Sequence, residues 1–192
     1  MIGINIAIAP PVLSTAPVFS SLSPIDQANL LRGEILLETR PHTFFGGAVT
    51  ARMYLPLERA QTWQQLTDYP RWVQYFPEIT HSQVLKPASS LSQEGLRLYQ
   101  VARKTFLMLT AQVEIYLRVF EQQHQSIQFR LEQGSFADFG ADLILEDYGP
   151  GTLLTYQVAA TPTIPVPSIF IQEAMKADLP NNLRQMRQVL CA

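Results

Sequence analysis

Few side chains in this 192-residue sequence have the chemistry of a catalytic group, and fewer have the spacing. The three histidines, His42, His81 and His124, lie far apart in or beside predicted turns, without metal-ligand spacing or a neighbouring carboxylate in sequence. They read as surface residues. The one cysteine, Cys191, is next to the last residue, so neither an intramolecular disulfide nor a cysteine-based zinc site can form. Asp68 and Arg71 have the separation of a local ion pair or helix-end feature rather than of an acid/base pair. What remains is a set of groups able to polarise a carbonyl: Tyr99, Arg103 and Tyr156. Arg103 and Lys104 interrupt an apolar strand end, where they serve either an oxygen-bearing ligand or a solvated strand edge. No catalytic residue, metal or cofactor is expected.

A second kind of chemistry is concentrated in "LTDYPRWVQYFPEI", Leu66 to Ile79, which holds Tyr69, Trp72, Tyr75 and Phe76 between Pro70 and Pro77 or beside them. Such rings either plug the end of a core, with Trp63 and Trp72 wedging short helices onto a sheet, or line the mouth of a cavity and stack on a planar ligand. Tyr69 and Tyr75 each carry a hydroxyl that needs a partner if buried. These alternatives depend on the elements that hold the rings.

Serine followed by an amphipathic run in "SPIDQANLLRGE" predicts a two-turn helix ending at Gly33. From Glu34 to Leu57, Pro41 and the Gly46–Gly47 pair divide a β-rich run into two extended pieces. Leu57, Ala60, Trp63 and Leu66 then recur at helical spacing, and Pro70 stops that helix and opens one further turn. Alternation is clearest in mid-chain, where Val113, Ile115, Leu117 and Val119, then Ile127, Phe129 and Leu131, then Ala141, Leu143 and Leu145 share one parity against polar neighbours. With "LRLYQVARKTF" before them and "GTLLTYQVAA" after, these segments predict five consecutive strands of an antiparallel meander with one wet face. The last segment, from Pro167 and Ser168 to Leu190, predicts the longest helix, kinked or restarted near Pro180. A sheet with one apolar face and one long helix to cover it is an α+β solution.

Composition narrows the partner. A net charge of −2 without a dense Lys/Arg block argues against nucleic acid, while 16 % charged residues is low against a usual 25 % or so and suits a chain that encloses apolar surface. One cysteine fits a reducing compartment, so a cytoplasmic protein is expected. The first 33 residues open on an apolar run, "MIGINIAIAPPVLSTAPVFSSLS", that lacks a basic leader and is interrupted by prolines 10, 11 and 17. They read as an N-terminal extension with a short helix, either loose or making a weak peripheral membrane or partner contact, ahead of a domain over 34–192.

The order of elements, with "YLPLERAQTWQQLTDYPRWVQYFPEI", "EQGSFADFGADLILED", "GTLLTYQVAATPTIPVP" and "DLPNNLRQMR", resembles the polyketide cyclase/dehydrase and coenzyme Q-binding branch of the START-like superfamily. The likeness covers roughly Glu34 to Leu190. It implies a helix-grip fold, in which a strongly curved antiparallel sheet wraps the C-terminal helix and two short helices after the first strand close one end. It further implies a hydrophobic cavity between sheet and helix for lipids, sterols, polyketides or quinones.

In that arrangement Tyr69, Trp72, Tyr75 and Phe76 fall at one end of the cavity. Phe129, Leu131, Leu143, Leu145, Tyr156 and Val158 face inward from the sheet, with Phe170, Ala174 and Met175 from the helix and Tyr99 and Arg103 as polar contacts. Small Ala174 and Ala177 leave space, although close helix–sheet packing without a void is the alternative. A non-catalytic carrier of a hydrophobic small molecule ranks first, since no inward titratable base stands out. A cyclase or dehydratase ranks second and a protein-interaction module with a filled core third.

Overall fold

The computed structural model describes residues 22–85, 95–106 and 109–192, without the side chains of 104–111. The membrane or partner contact expected of residues 1–21 and the anchoring role expected of the Lys104 side chain therefore lie outside the described residues.

Helix α1, Pro24–Leu31, starts where the sequence predicts, with the Asp26 N–H donating to Ser23 Oγ at 3.1 Å and proline in the first turn. It ends at Gly33, whose φ of 90° suits glycine and whose missing side chain leaves room for the Arg187 guanidinium. Ser23→Ala is expected to lower stability by about 1 kcal/mol, the usual cost of losing an N-cap. Urea denaturation checks this; an unchanged midpoint would mean that α1 does not share in the cooperative unit.

Strands β1, Leu36–Pro41, and β2, Gly47–Leu55, form a hairpin, and helix α2, Arg59–Leu66, follows. A 3-10 turn, Tyr69–Arg71, and the single turn α3, Trp72–Tyr75, complete the aromatic segment. Next come β3, Ile79–Leu85, β4, Leu96–Phe106, β5, Leu109–Gln122, β6, Ser126–Gly134, β7, Phe136–Tyr148, and β8, Gly151–Pro162. All neighbours are antiparallel, in the order β1-β2-β8-β7-β6-β5-β4-β3, so the meander returns its last strand to the first hairpin. Helix α4, Ser168–Leu190, lies in the hollow of this sheet and buries Leu179, Leu183, Met186 and Leu190. This is the helix-grip arrangement.

Several expectations are corrected. Strand β3 was not predicted, because its burial pattern has one deep position, Ser82, and the alternation is broken by a register shift between Ile79 and His81. His81 is accordingly on a strand rather than in a turn. His42 does have a carboxylate partner, with Nε2 2.5 Å from Asp138 Oδ2, brought together from 96 positions apart. His124 is in its turn but half-buried, edge-on to the Trp63 ring at 6.0 Å. Helix α4 also passes through Pro180 without restarting: one backbone donor is lost, but buried Leu179 and Leu183 hold both sides of the proline against the core.

Strand β8 alternates poorly in sequence for a reason visible in the fold. Gly151 to Tyr156 are buried on both faces, because Leu30 of α1 covers Tyr54 and Leu153 on the outside while Leu154 and Tyr156 face the hollow. A strand covered twice has no wet parity to display.

Candidate ligand cavity

The aromatic segment is positioned from both ends. Arg71 Nη1 donates to Gln65 Oε1 at 3.0 Å and Nη2 to the Val189 carbonyl at 3.4 Å, tying the short helices to the end of α4. Trp72 is the centre of the ring cluster, 5.0 Å from Phe129, 5.7 Å from Phe76 in a stacked arrangement and 6.3 Å from both Tyr69 and Tyr75. Its indole N–H donates to the Leu66 carbonyl at 2.9 Å. The Tyr69 hydroxyl donates to Glu121 Oε1 at 2.6 Å, and that of Tyr75 to the Gln65 carbonyl at 3.0 Å. Burial pushes the Tyr69 phenol well up, aided by Glu121, and raises Tyr75 to about 12, only partly offset by Arg71. Both phenols are committed hydrogen-bond donors inside the core.

Beneath this plug lies a cavity of about 200 Å³ whose wall includes Trp72 and Phe76 from the segment, Ile79, Gln100, Ala102, Val113 and Ile115 from β3 to β5, and Phe129, Ala141 and Tyr156 from β6 to β8. A second compartment, about 310 Å³ and more open, lies under the first half of α4 against Val49, Val158, Ala160, Ile171, Ala174 and Met175. Phe136, Phe139 and Tyr156 line both, so three rings stand where the compartments meet. Space exists where the wall is small: Ala102 and Ala141 in the first compartment, Ala160 and Ala174 in the second.

Polar groups are sparse. Gln100 is held by its Nε2 donating to Ser82 Oγ at 3.1 Å, which itself donates to the Tyr69 carbonyl at 2.7 Å. Tyr156 is buried, its phenol is pushed well up by desolvation alone, and its hydroxyl has no hydrogen-bond partner among the described residues. Among the described residues no carboxylate, histidine, lysine or arginine side chain lines the first compartment; Asp178 and Asn182 border the second. Among the described residues no group of three or more His, Cys, Asp or Glu side chains is placed to hold a metal ion.

A sequence profile described as "Polyketide cyclase / dehydrase and lipid transport" matches residues 55–187, well over half of the chain. The chain belongs to that family. No curated protein matches the sequence of this polyketide cyclase/dehydrase and lipid transport family member. Similar folds occur in the STAR-related lipid transfer protein of Xanthomonas axonopodis (TM-score 0.62, 15 % identity, 81 % of this chain and 93 % of that one). They occur also in human STARD10 (0.63, 12 %, 83 % and 70 %) and in the di-domain ARO/CYC protein BexL of the BE-7585A biosynthetic pathway (0.55, 11 %, 78 % and 50 %). These likenesses establish the START-like fold.

In this family member the sequence-predicted residues divide into four groups. Trp72, Phe76, Phe129 and Tyr156 line the first compartment, and Tyr156, Val158, Ala174 and Met175 the second. Tyr69, Tyr75, Leu143 and Leu145 are core, and Leu131 packs against that core without reaching either compartment. Tyr99 and Arg103 are corrections: Leu98, Gln100 and Ala102 set the inward parity of β4, which sends the odd positions to the outer face. There Tyr99 packs on Tyr116 at 4.7 Å and Arg103 is exposed. Phe170 is the last correction, 55 % exposed, and Ala177, seven residues along and so on the same face of α4, is exposed with it, while Ile171, Ala174 and Met175 on another face line the second compartment.

Sequence reasoning missed Phe136, Phe139 and Gln100. Extending the parity of Ala141 back by two positions finds Phe139; Phe136 escapes because the β7–β8 register shifts between Phe136 and Asp138.

Proposed function

We propose that the protein binds and carries a neutral hydrophobic small molecule that bears a hydrogen-bond acceptor, held across the two compartments. The observation that carries this reading is the lining of the first compartment among the described residues: apolar walls, no charged side chain, and one buried phenol, Tyr156, whose donor is unused. A carboxylate or phosphate placed there would lose its water without gaining a counter-charge, whereas a ketone or quinone oxygen would gain the Tyr156 proton as a hydrogen bond. A quinone, as in a coenzyme Q-binding branch, and a polyketide-like carbonyl compound both meet this description. A family name that joins lipid transport to cyclisation agrees with it.

A cyclase reading draws on the same phenol. With its titration pushed above the ordinary range by burial, Tyr156 stays protonated at neutral pH and can polarise a carbonyl. Taking a proton from substrate needs a base, and none lines the first compartment among the described residues. The geometry therefore favours a carrier.

The test is a titration of decyl-ubiquinone and palmitate by tryptophan quenching in a Trp63→Phe background, which leaves Trp72 as the reporter in the wall. Quenching by the quinone and not by palmitate is expected; equal response to both, or none, would remove the proposal. Tyr156→Phe should weaken quinone binding by about tenfold, the loss of roughly one buried hydrogen bond. Its thermal stability should stay level, because the substitution removes no hydrogen bond of the fold. Unchanged affinity would show that the phenol does not meet the ligand.

A further inference from the structure

Five of the large apolar side chains that are exposed gather at one end of the molecule. Phe44 and Phe45 lie on the β1–β2 turn, Ile164 on the β8–α4 connection, and Ile169 and Phe170 on the first turn of α4; Phe44 is 84 % and Ile164 71 % exposed. The three segments are fastened together, since the Ser168 N–H donates to the Phe44 carbonyl at 3.3 Å and Ser168 Oγ to the Gly46 carbonyl at 2.6 Å. Thr43 and Thr161 hydroxyls add a bond at 2.9 Å. Exposure here is thus a built feature of a braced tip.

We propose that this tip docks the protein onto a lipid bilayer containing anionic headgroups. Large apolar side chains carried on turns and a helix start form projections rather than a groove, and projections need a soft medium more than a matching surface. Aromatic and branched apolar side chains suit the headgroup–acyl boundary. Charge supports the same occupant. The acids nearest the tip are already engaged, Asp138 in a hydrogen bond with His42 and Glu173 in an ion pair with Lys176, while Arg40, exposed and close behind the turn on β1, has no ion-pair partner among the described residues. A free guanidinium at that level meets lipid phosphate. No described helix is long and apolar enough to cross a membrane, so the contact would be peripheral.

The tip also borders the second compartment. Ile171, next after the exposed pair on α4, and Ala174, about one turn further, line that compartment together with Pro162 at the end of β8. An apolar molecule leaving the bilayer would enter there without crossing water. The docking itself does not depend on which ligand the cavity takes.

Vesicle flotation of the full chain tests it, with phosphatidylcholine alone and with phosphatidylcholine containing 30 % phosphatidylglycerol. The wild-type chain should float with the anionic vesicles, and Phe44→Ser combined with Ile164→Ser should reduce binding by at least about tenfold, while circular dichroism and melting stay unchanged. Arg40→Ala should lower binding a few-fold on anionic vesicles only. Failure of the wild-type chain to float on either vesicle would overturn the proposal. So would equal flotation of the double variant, which would assign the contact to another surface. Sedimentation that shows a concentration-dependent dimer abolished by the double variant, with no vesicle binding, would replace the bilayer by a second copy of the chain. None of these readings uses a cavity ligand, so failure of the carrier proposal leaves them intact.

Discussion

Replacing Trp72 by alanine is expected to cost about 3–5 kcal/mol, the range for deleting a large buried aromatic, and to lower the melting temperature by roughly 6–20 °C for a domain of this size. Trp72 is 4 % exposed, touches four rings and donates its indole N–H to the Leu66 carbonyl. It is therefore both a wall of the cavity and the keystone of the plug. A ring acting only as a gate would leave a folded variant that exchanges ligand faster. Trp72→Phe separates the roles, since it keeps ring packing but loses the hydrogen bond and part of the volume, and should cost about 1–3 kcal/mol. Thermal and urea denaturation of both variants supply the measurement. If Trp72→Ala melts within about 2 °C of wild type, the core assignment is wrong.

The largest effect on binding is expected from filling the cavity. Ala102 lies on the inward parity of β4, paired with Val113 on one side and Ile79 on the other, and its small side chain leaves part of the space in the first compartment. Ala102→Phe would place a ring there. Affinity for a neutral apolar probe such as Nile red, or for decyl-ubiquinone competing with it, should fall roughly a hundredfold, equivalent to about 2.7 kcal/mol. Stability should hold or improve, because burying apolar surface in an existing void is favourable. Were the interior already close-packed, the same substitution would instead cost about 1–3 kcal/mol as overpacking. A destabilised variant with unchanged probe binding would thus argue for a filled core and against a carrier.

How much of this was legible in advance depends on what periodicity can report. It reports which face of an element is apolar. Val113 to Val119, Ile127 to Leu131 and Ala141 to Leu145 carry an unambiguous period of two, which fixed the inward side of β5, β6 and β7 before any coordinates. The helix over Ser168–Leu190 and the broken helix through Pro70 were equally plain, since proline and serine positions constrain the backbone locally. Absence of a metal-ligand spacing and of a second cysteine bounded the chemistry in the same local way.

Tertiary structure alone decided the rest, because each remaining question asks what lies opposite an element. Strand β4 carries apolar or aromatic residues on both parities, so only its pairing with β3 and β5 shows that Gln100 and Ala102 face the cavity while Tyr99 and Arg103 face out. The bulge at Phe136 turns that ring inward against simple alternation. Tyr69 and Tyr75 became core rather than ligand contacts because Glu121, 52 positions from Tyr69, and the Gln65 carbonyl satisfy their hydroxyls. Phe170 carries the same apolar signal as Leu183, yet one is exposed and the other buried. The difference is the face of the helix: Phe170 shares its side of α4 with exposed Ala177, whereas Leu179, Leu183, Met186 and Leu190 share the side packed into the core, and a helix with apolar residues on two sides does not record in its sequence which side its partner covers.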